Sequence, residues 1–290
     1  MKLLNFSYRG QNRIGVLRDN EVVDLGACPD LPSTMLELLV AGPSALERVR
    51  AAADKAHDRL SLAEVRLEAP LRNPPEFLAI GRNYADHIAE MGHAKPEFPR
   101  FFNKQVSCIV GPFDPIMVPR ASAAVDYEGE LAFVIGRRCR HVPRQRASEV
   151  IAGYMVVNDV SVRDWQNKAP TITLGKSWDS HGPTGPWIVT ADEIADPQGL
   201  ELRTWVNGEL RQHSNTRHMI HGCFAQIELL STVFTLLPGM IVSTGTPSGV
   251  AHGMKPPRYL RAGDRVKVEI EGVGVIDNPV IDESADSAQL

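Results

Sequence analysis

The sequence predicts a mainly β chain of the α+β class: a β-sandwich or barrel-like roll with a few helices, preceded by a small α/β unit. Two observations predict it. After about Leu71, short β patterns follow one another and are cut by Gly and Pro. These strands do not alternate regularly with helices, and no repeat period appears, which argues against a doubly wound parallel sheet.

The first part holds three short strand patterns, "MKLLNFSY", "RIGVLR" and "EVVDL", with Gly10 and Asp19-Asn20 at the turns. "STMLELLV" follows Pro32 and is predicted as a helix capped by Ser33. "SALERVRAAADKA" is predicted as a second helix, with Ser44 as cap and Glu47 completing a capping box. "APLRNPPEF" then crowds three prolines together, and the domain boundary is placed there: residues 1–70 as a small N-terminal domain, 71–290 as the catalytic domain. In the second part "EFLAIG", "EGELAFVIG", "GYMVVNDV", "TGPWIVT", "ELRTWVNG", "MIVSTG", "DRVKVEIEG" and "GVIDNPV" read as strands, the last two as a hairpin or meander around Gly272 and Gly274. One helix carries Phe224, Ile227 and Leu230 at helical spacing and stops before Pro238-Gly239. The tail "DESADSAQL" is expected to fray.

Composition narrows the classes of function. A formal net charge of −4 and the absence of a Lys/Arg run argue against a nucleic-acid partner. The most basic segment, Arg137 to Arg146, reads as a solvated loop. The N-terminus lacks the apolar stretch of a secretory signal, and the longest apolar run is broken at Pro238-Gly239, so no membrane span is expected. Cys28, Cys108, Cys139 and Cys223 lie far apart without CxxC spacing, which argues against a zinc site or a disulfide framework and for a reduced, cytoplasmic protein.

"YEGELAFVIG" sets Glu128 and Glu130 on one face of a strand, about 6.5–7 Å apart, with Gly129 on the other face. Such a pair can face solvent on an edge strand. Here, however, the strand runs on into Leu131, Ala132, Phe133, Val134 and Ile135, which argues for an interior position. A second core-like strand ends in Asp159. Buried carboxylates need a proton or a cation, and three oxygen donors without an adjacent base point to one hard divalent ion, Mg²⁺, Mn²⁺ or Ca²⁺.

"GRNYADHIAEMG" places His87 and Glu90 at i and i+3 on a helix, followed by Gly92, Pro96 and Pro99 in a loop. Spacing alone leaves two readings open: a surface pair, or a carboxylate that orients an imidazole base. The turn "STGTPSG" can present backbone N–H groups and the Thr246 hydroxyl to a carboxylate, or simply connect two strands. Lys176 in "LGKSWDSHGPTGP" is a surface lysine or a holder of an anionic group.

In their order these stretches, with "NDVSVRDWQ", "VNGELRQ" and "LLPGMIVSTGTPSGV", resemble the fumarylacetoacetate hydrolase family from about Phe77 to Val280. The resemblance implies that family's β-roll fold and a homodimer. It implies Mg²⁺ or Mn²⁺ at Glu128, Glu130 and Asp159, a His87–Glu90 acid–base dyad on a lid, catalytic Lys176, and Arg82, Lys104, Gln166 and Thr246 around the substrate. The expected activity is metal-dependent hydrolysis of a C–C bond in an acylpyruvate-like or other diketo acid. The alternative within the family is a 2-oxo acid decarboxylase or an enol/keto isomerase.

Overall fold

The computed structural model describes residues 1–28, 30–57 and 59–285. A twelve-stranded sheet runs through the molecule, and a five-stranded sheet packs on one of its faces. The central strands of the large sheet are Gly182–Thr190, Ile151–Asn158, Gly129–Ile135, Ile241–Ser243 and Phe77–Gly81, with Arg100–Lys104 at one end of the order. The smaller sheet is built from Glu209–Asn215, Glu201–Val206, Arg265–Ile270, Gly274–Asp282 and Ile116–Val118. This is the expected mainly β sandwich roll, and Arg265–Ile270 with Gly274–Asp282 is the expected antiparallel pair.

The strand Gly129–Ile135 explains the layering. Every residue in it is buried, and it lies between two neighbours in the sheet, so it is an interior strand. Leu131, Phe133 and Ile135 join an apolar cluster with Val266, Val268 and Ile270 of the smaller sheet. Ala132 and Val134 join the other cluster, with Leu38, Leu39 and Val49 of two helices. The unbroken apolar run is therefore the signature of a strand covered on both faces, by a sheet on one and by helices on the other. Gly129 lies on the sheet side, where a Cβ would meet Thr204 Oγ1 at 2.3 Å.

The first 70 residues extend this same sheet. Lys2–Tyr8 pairs with Gly182–Thr190, with Gln11–Arg18 and with Arg66–Glu68. Their helices, Met35–Ala41 and Pro43–Lys55, cover the outer face of the sheet. Two caps differ from expectation. Thr34, not Ser33, caps the first helix, in a reciprocal capping box with Glu37. The second helix starts one residue before Ser44, because Pro43 occupies its first turn behind a Gly42 cap. Several strands were not expected, among them Arg66–Glu68, Arg100–Lys104, Ile116–Val118 and Glu209–Asn215.

No helix among the described residues is long and apolar enough to cross a membrane. The four cysteines are free. Part of the tail expected to fray is held: Glu283 donates its N–H to the Val118 carbonyl, and its side chain accepts from the Arg120 N–H at 2.8 Å. Positions 286–290 of that tail lie outside the described residues.

Candidate active site

The sheet register assembles the acids. Gly129 pairs with Asn158, so the next residues outward, Glu128 and Asp159, stand side by side where the ladder ends. The Asp159 N–H donates to the Glu128 carbonyl at 2.8 Å, and Asn158 Oδ1 accepts the Glu128 N–H at 2.9 Å. Glu130 shares the face of Ala132 and Val134 by strand alternation. One carboxylate oxygen from each of Glu128, Glu130 and Asp159 lies within 4.8 Å of the others, and all three residues are buried.

The structure supplies cations that sequence adjacency did not reveal. Lys176 Nζ donates to Glu128 Oε2 at 2.5 Å and to Asp159 Oδ2 at 2.7 Å. Lys104 Nζ donates to Asp159 Oδ1 at 2.7 Å, to the His181 carbonyl at 3.0 Å and to the Lys176 carbonyl. Arg163 donates to Asp126 Oδ2 and Glu128 Oε1, each at 2.8 Å, and to Gln166 Oε1 at 3.0 Å. Gly175 lets Lys176 reach its place: a Cβ there would sit 2.3 Å from Gln166 Cα, so the two short helices Arg163–Gln166 and Thr173–Lys176 touch backbone to backbone.

Glu130 is the exception. Among the described residues it forms no ion pair; Ser243 Oγ donates to its Oε2 at 2.6 Å and the Gly245 N–H at 2.8 Å. The carboxylate that the "STGTPSG" turn serves is thus the protein's own. Burial, then repulsion from Asp159 and Glu128, push the Glu130 carboxyl well above its usual range. Burial also works against ionised Glu128, but Lys176 and Arg163 override it and hold that carboxyl far below the usual range. Four buried acids, Asp126, Glu128, Glu130 and Asp159, face three buried cations, Lys104, Arg163 and Lys176. Among the described residues Glu130 is the acid left without a cation, at an all-oxygen cluster. An uncompensated acid that keeps its proton in the absence of a cation, within an oxygen-only donor set, fits one hard divalent ion.

His87 and Glu90 sit on the six-residue helix Ala85–Glu90. His87 is buried, and its Nδ1 lies 3.4 Å from Glu90 Oε2. The helix is tied to the end of that turn: Gly249 donates its N–H to Glu90 Oε1 at 2.9 Å, and Ser248 Oγ donates to Asp86 Oδ2 at 2.8 Å. Glu90 also packs against Gly253, where a Cβ would meet its Cγ at 2.4 Å. Asn83 locks the start of this segment by bonding His221 through both ends of its amide and Thr244 through its Nδ2.

His87, the three acids, Lys176, Arg82, Gln166 and Thr246 all line one cavity of about 180 Å³. Two expected residues stand apart from its wall. Glu90 lies behind His87, and Lys104 lies behind Asp159. Thr246 Oγ1 donates to the Gly129 carbonyl at 3.0 Å and accepts from Gln212 Nε2 at 2.8 Å, which fixes the turn. Four residues were missed: Arg163 and Asp126 in the ion-pair network, and Arg100 and His252 in the cavity wall. Arg163 left a signal, since it follows a buried strand by a few residues within "VSVRDW". Arg100 left none, since its strand was not among the predicted ones.

Comparison with known proteins gives the same arrangement a wider setting. Over 288 residues the chain is 44% identical to oxaloacetate tautomerase fahd2, mitochondrial, of Xenopus laevis, covering 97% of this chain and 90% of that protein. The solved fumarylacetoacetate hydrolase of psychrophilic Exiguobacterium antarcticum superposes with a TM-score of 0.85 at 40% identity, over 98% of this chain and 100% of that one. The maleylpyruvate hydrolase of Sphingobium sp. SYK-6, solved with manganese(II) ion and pyruvate, superposes with a TM-score of 0.81 at 32% identity, over 98% and 100% of the two chains. Residues 76–281 match the description "Fumarylacetoacetate (FAA) hydrolase C-terminal". That span takes in both cavity-lining strands, the His87 helix and Lys176, and on that share of its length the chain belongs to the fumarylacetoacetate hydrolase family.

Proposed function

We propose that this protein interconverts the enol and keto forms of a small 2-oxo acid, with Mg²⁺ or Mn²⁺ held by Glu128, Glu130 and Asp159. The observation that carries the reading is the placement of one buried imidazole, His87, in the same small cavity as the acid cluster, near enough for its charge to act on Glu128. A tautomerase needs a proton carrier beside an electrophilic centre and little else. When bound, a divalent ion there would polarise the 2-oxo group as a Lewis acid.

The chain's own groups do the rest. In the enol-to-keto direction His87 Nε2 takes the enol O–H proton, leaving an enolate, and returns that proton to the neighbouring carbon, with the reverse order for keto to enol, so no proton is gained or lost; Glu90 holds Nδ1–H and so fixes the tautomer. Lys176, held between Glu128 and Asp159, keeps an ammonium in the cavity wall where enolate charge develops. Gln166 spends its Oε1 on Arg163, which leaves its amide N–H₂ as a donor toward the cavity.

The 44% identical relative named as an oxaloacetate tautomerase supports this reading over hydrolysis. Hydrolysis of a C–C bond is the second reading. The likeness to maleylpyruvate hydrolase favours it, and His87 with Glu90 would then activate a water. Four free cysteines support a reducing compartment. We carry the homodimer and the cytoplasmic location as part of the proposal, and sedimentation tests the former.

The test is to add enol-oxaloacetate to Mg²⁺- or Mn²⁺-loaded protein, following enol absorbance and product mass together. Faster loss of the enol at unchanged mass is expected. Loss of CO₂, or no acceleration together with cleavage of an acylpyruvate, would replace the reading with decarboxylation or hydrolysis.

A further inference from the structure

Residues 250–260 follow the turn "STGTPSG" and place one side chain in the cavity wall, that of His252. The segment is pinned near both ends to the strand Val125–Asp126. The Ala251 and His252 N–H groups donate to the Asp126 carboxylate at 2.8 and 3.0 Å, and the Leu260 N–H donates to the Val125 carbonyl at 2.8 Å. Between them the Arg258 N–H donates to the Ala251 carbonyl at 3.2 Å, which turns the chain back and brings Tyr259 beside His252. The two rings stack with centroids 5.9 Å apart, and the Tyr259 hydroxyl lies 2.5 Å from His252 Nδ1. Nδ1 is thus occupied, and among the described residues no group meets Nε2 on the other side of the ring.

The partner on Nδ1 decides what Nε2 can do. On His87 that partner is the Glu90 carboxylate, which only accepts, so the proton sits on Nδ1 and Nε2 is left as a base. On His252 the partner is a phenol. Tyr259 has no other hydrogen bond among the described residues, so its O–H is given to Nδ1. Burial, then Asp126, raise the Tyr259 pKa and keep the phenol protonated. Burial, then Arg163, lower the His252 pKa and keep that imidazole neutral. A neutral ring that accepts at Nδ1 carries its proton on Nε2.

We infer that His252 contacts the substrate as a hydrogen-bond donor, presenting Nε2–H to an oxygen of the bound acid, the counterpart of the acceptor that His87 presents. Tyr259 is its positioning residue, because it acts only through the tautomer and the orientation of the ring. A donor on a pinned segment is already ordered, so little entropy is lost when a ligand meets it. The inference rests on the 2-oxo acid reading above.

Nitrogen NMR of histidine-labelled, Mg²⁺-loaded protein reads the tautomer without turnover, the His252 signals being those lost in His252→Gln. Wild type is expected to carry the His252 proton on Nε2, and Tyr259→Phe should move the ring toward a mixture of tautomers. An Nδ1–H tautomer in wild type, or no change in Tyr259→Phe, overturns the inference. Calorimetry with pyruvate reads the contact itself. His252→Phe keeps a flat ring without the donor and should weaken pyruvate about tenfold, the scale of one hydrogen bond to a charged group. His252→Gln retains an amide N–H donor and should stay within about threefold of wild type. Unfolding midpoints confirm that each variant folds. Equal affinity in wild type and His252→Phe, or equal loss in both substitutions, also overturns the inference. The enol test stands apart. Wild type that fails to bind pyruvate sinks the 2-oxo acid reading and the donor together, and the expected affinities without enol turnover sink the tautomerase alone.

Discussion

The two ends of the cavity treat positive charge in opposite ways. At the inner end Lys104, Lys176 and Arg163 each meet a carboxylate at 2.8 Å or less, and all are buried. At the outer end Arg82 and Arg100 face the cavity without a carboxylate partner among the described residues. The same residue types thus serve two purposes. Inner cations hold acids in position against a desolvation penalty that neither partner could bear alone. Outer cations have no such partner among the described residues and are more open to solvent.

The largest expected effect breaks the inner end. Glu128→Ala leaves Arg163 and Lys176 each short of a buried partner, which should cost about 3–5 kcal/mol in stability. It should also remove Mn²⁺ binding and reduce turnover to background. Arg100→Gln at the outer end should stay within about 0.5 kcal/mol of wild type in stability, since it cuts no interaction inside the protein. Urea unfolding of the two variants side by side, with Mn²⁺ titration, checks the contrast. A Glu128→Ala protein as stable as Arg100→Gln would mean that the inner ion pairs do not hold the site together.

His87 lies between the two ends, and its substitution separates chemistry from charge. His87→Asn should lower the enol-to-keto rate by about 10²-fold or more while leaving the substrate's KM and Mn²⁺ affinity near wild type. Glu90→Gln should fall in the same direction by less, because Gly249 still anchors the side chain. An unchanged rate in His87→Asn would take the imidazole out of the mechanism and leave the inner cations as the only active groups.

Much of the inner end was legible in sequence, and the reason is the period of the strand. Glu128 and Glu130 are separated by a glycine and followed by an apolar run, and a strand buried on both faces can carry such acids only where its cover ends. Lys176 and Lys104 were named in the sequence, but their pairing with the acids was not legible, because contact there depends on distance in space. Lys104 reaches Asp159 from 55 positions away, and Lys176 reaches Glu128 from 48. At the outer end Arg82 was named by resemblance, and Arg100 was hidden for another reason. "RFFNK" is short, polar at both ends and preceded by Pro96 and Pro99, so it carries no strand pattern of its own. Its strand character comes from pairing with Phe77–Gly81. Arg100 and Lys104 share one face of that strand, and only the depth of the cavity gives them opposite roles.

The smallest expected effect concerns how each end sets the protonation of a histidine. His181 is fully buried behind Lys104, its Nε2 bonded to the Met117 carbonyl at 2.8 Å, and burial lowers its pKa to about 4. Its folded value lies below the unfolded value of about 6.5. Between those values the unfolded chain binds more protons, so stability is full above about pH 6.5 and is lost as pH falls toward 4. By linkage the loss at pH 5 is roughly 1–2 kcal/mol. His181→Gln keeps a donor for Met117 without a titrating group, and should flatten the fall in stability between pH 7 and 5. His93, exposed at the outer end and lowered in part by Arg82 and Arg100, should leave that slope almost unchanged when replaced by Gln. Equal flattening by the two substitutions would mean that burial at the inner end is not what separates them.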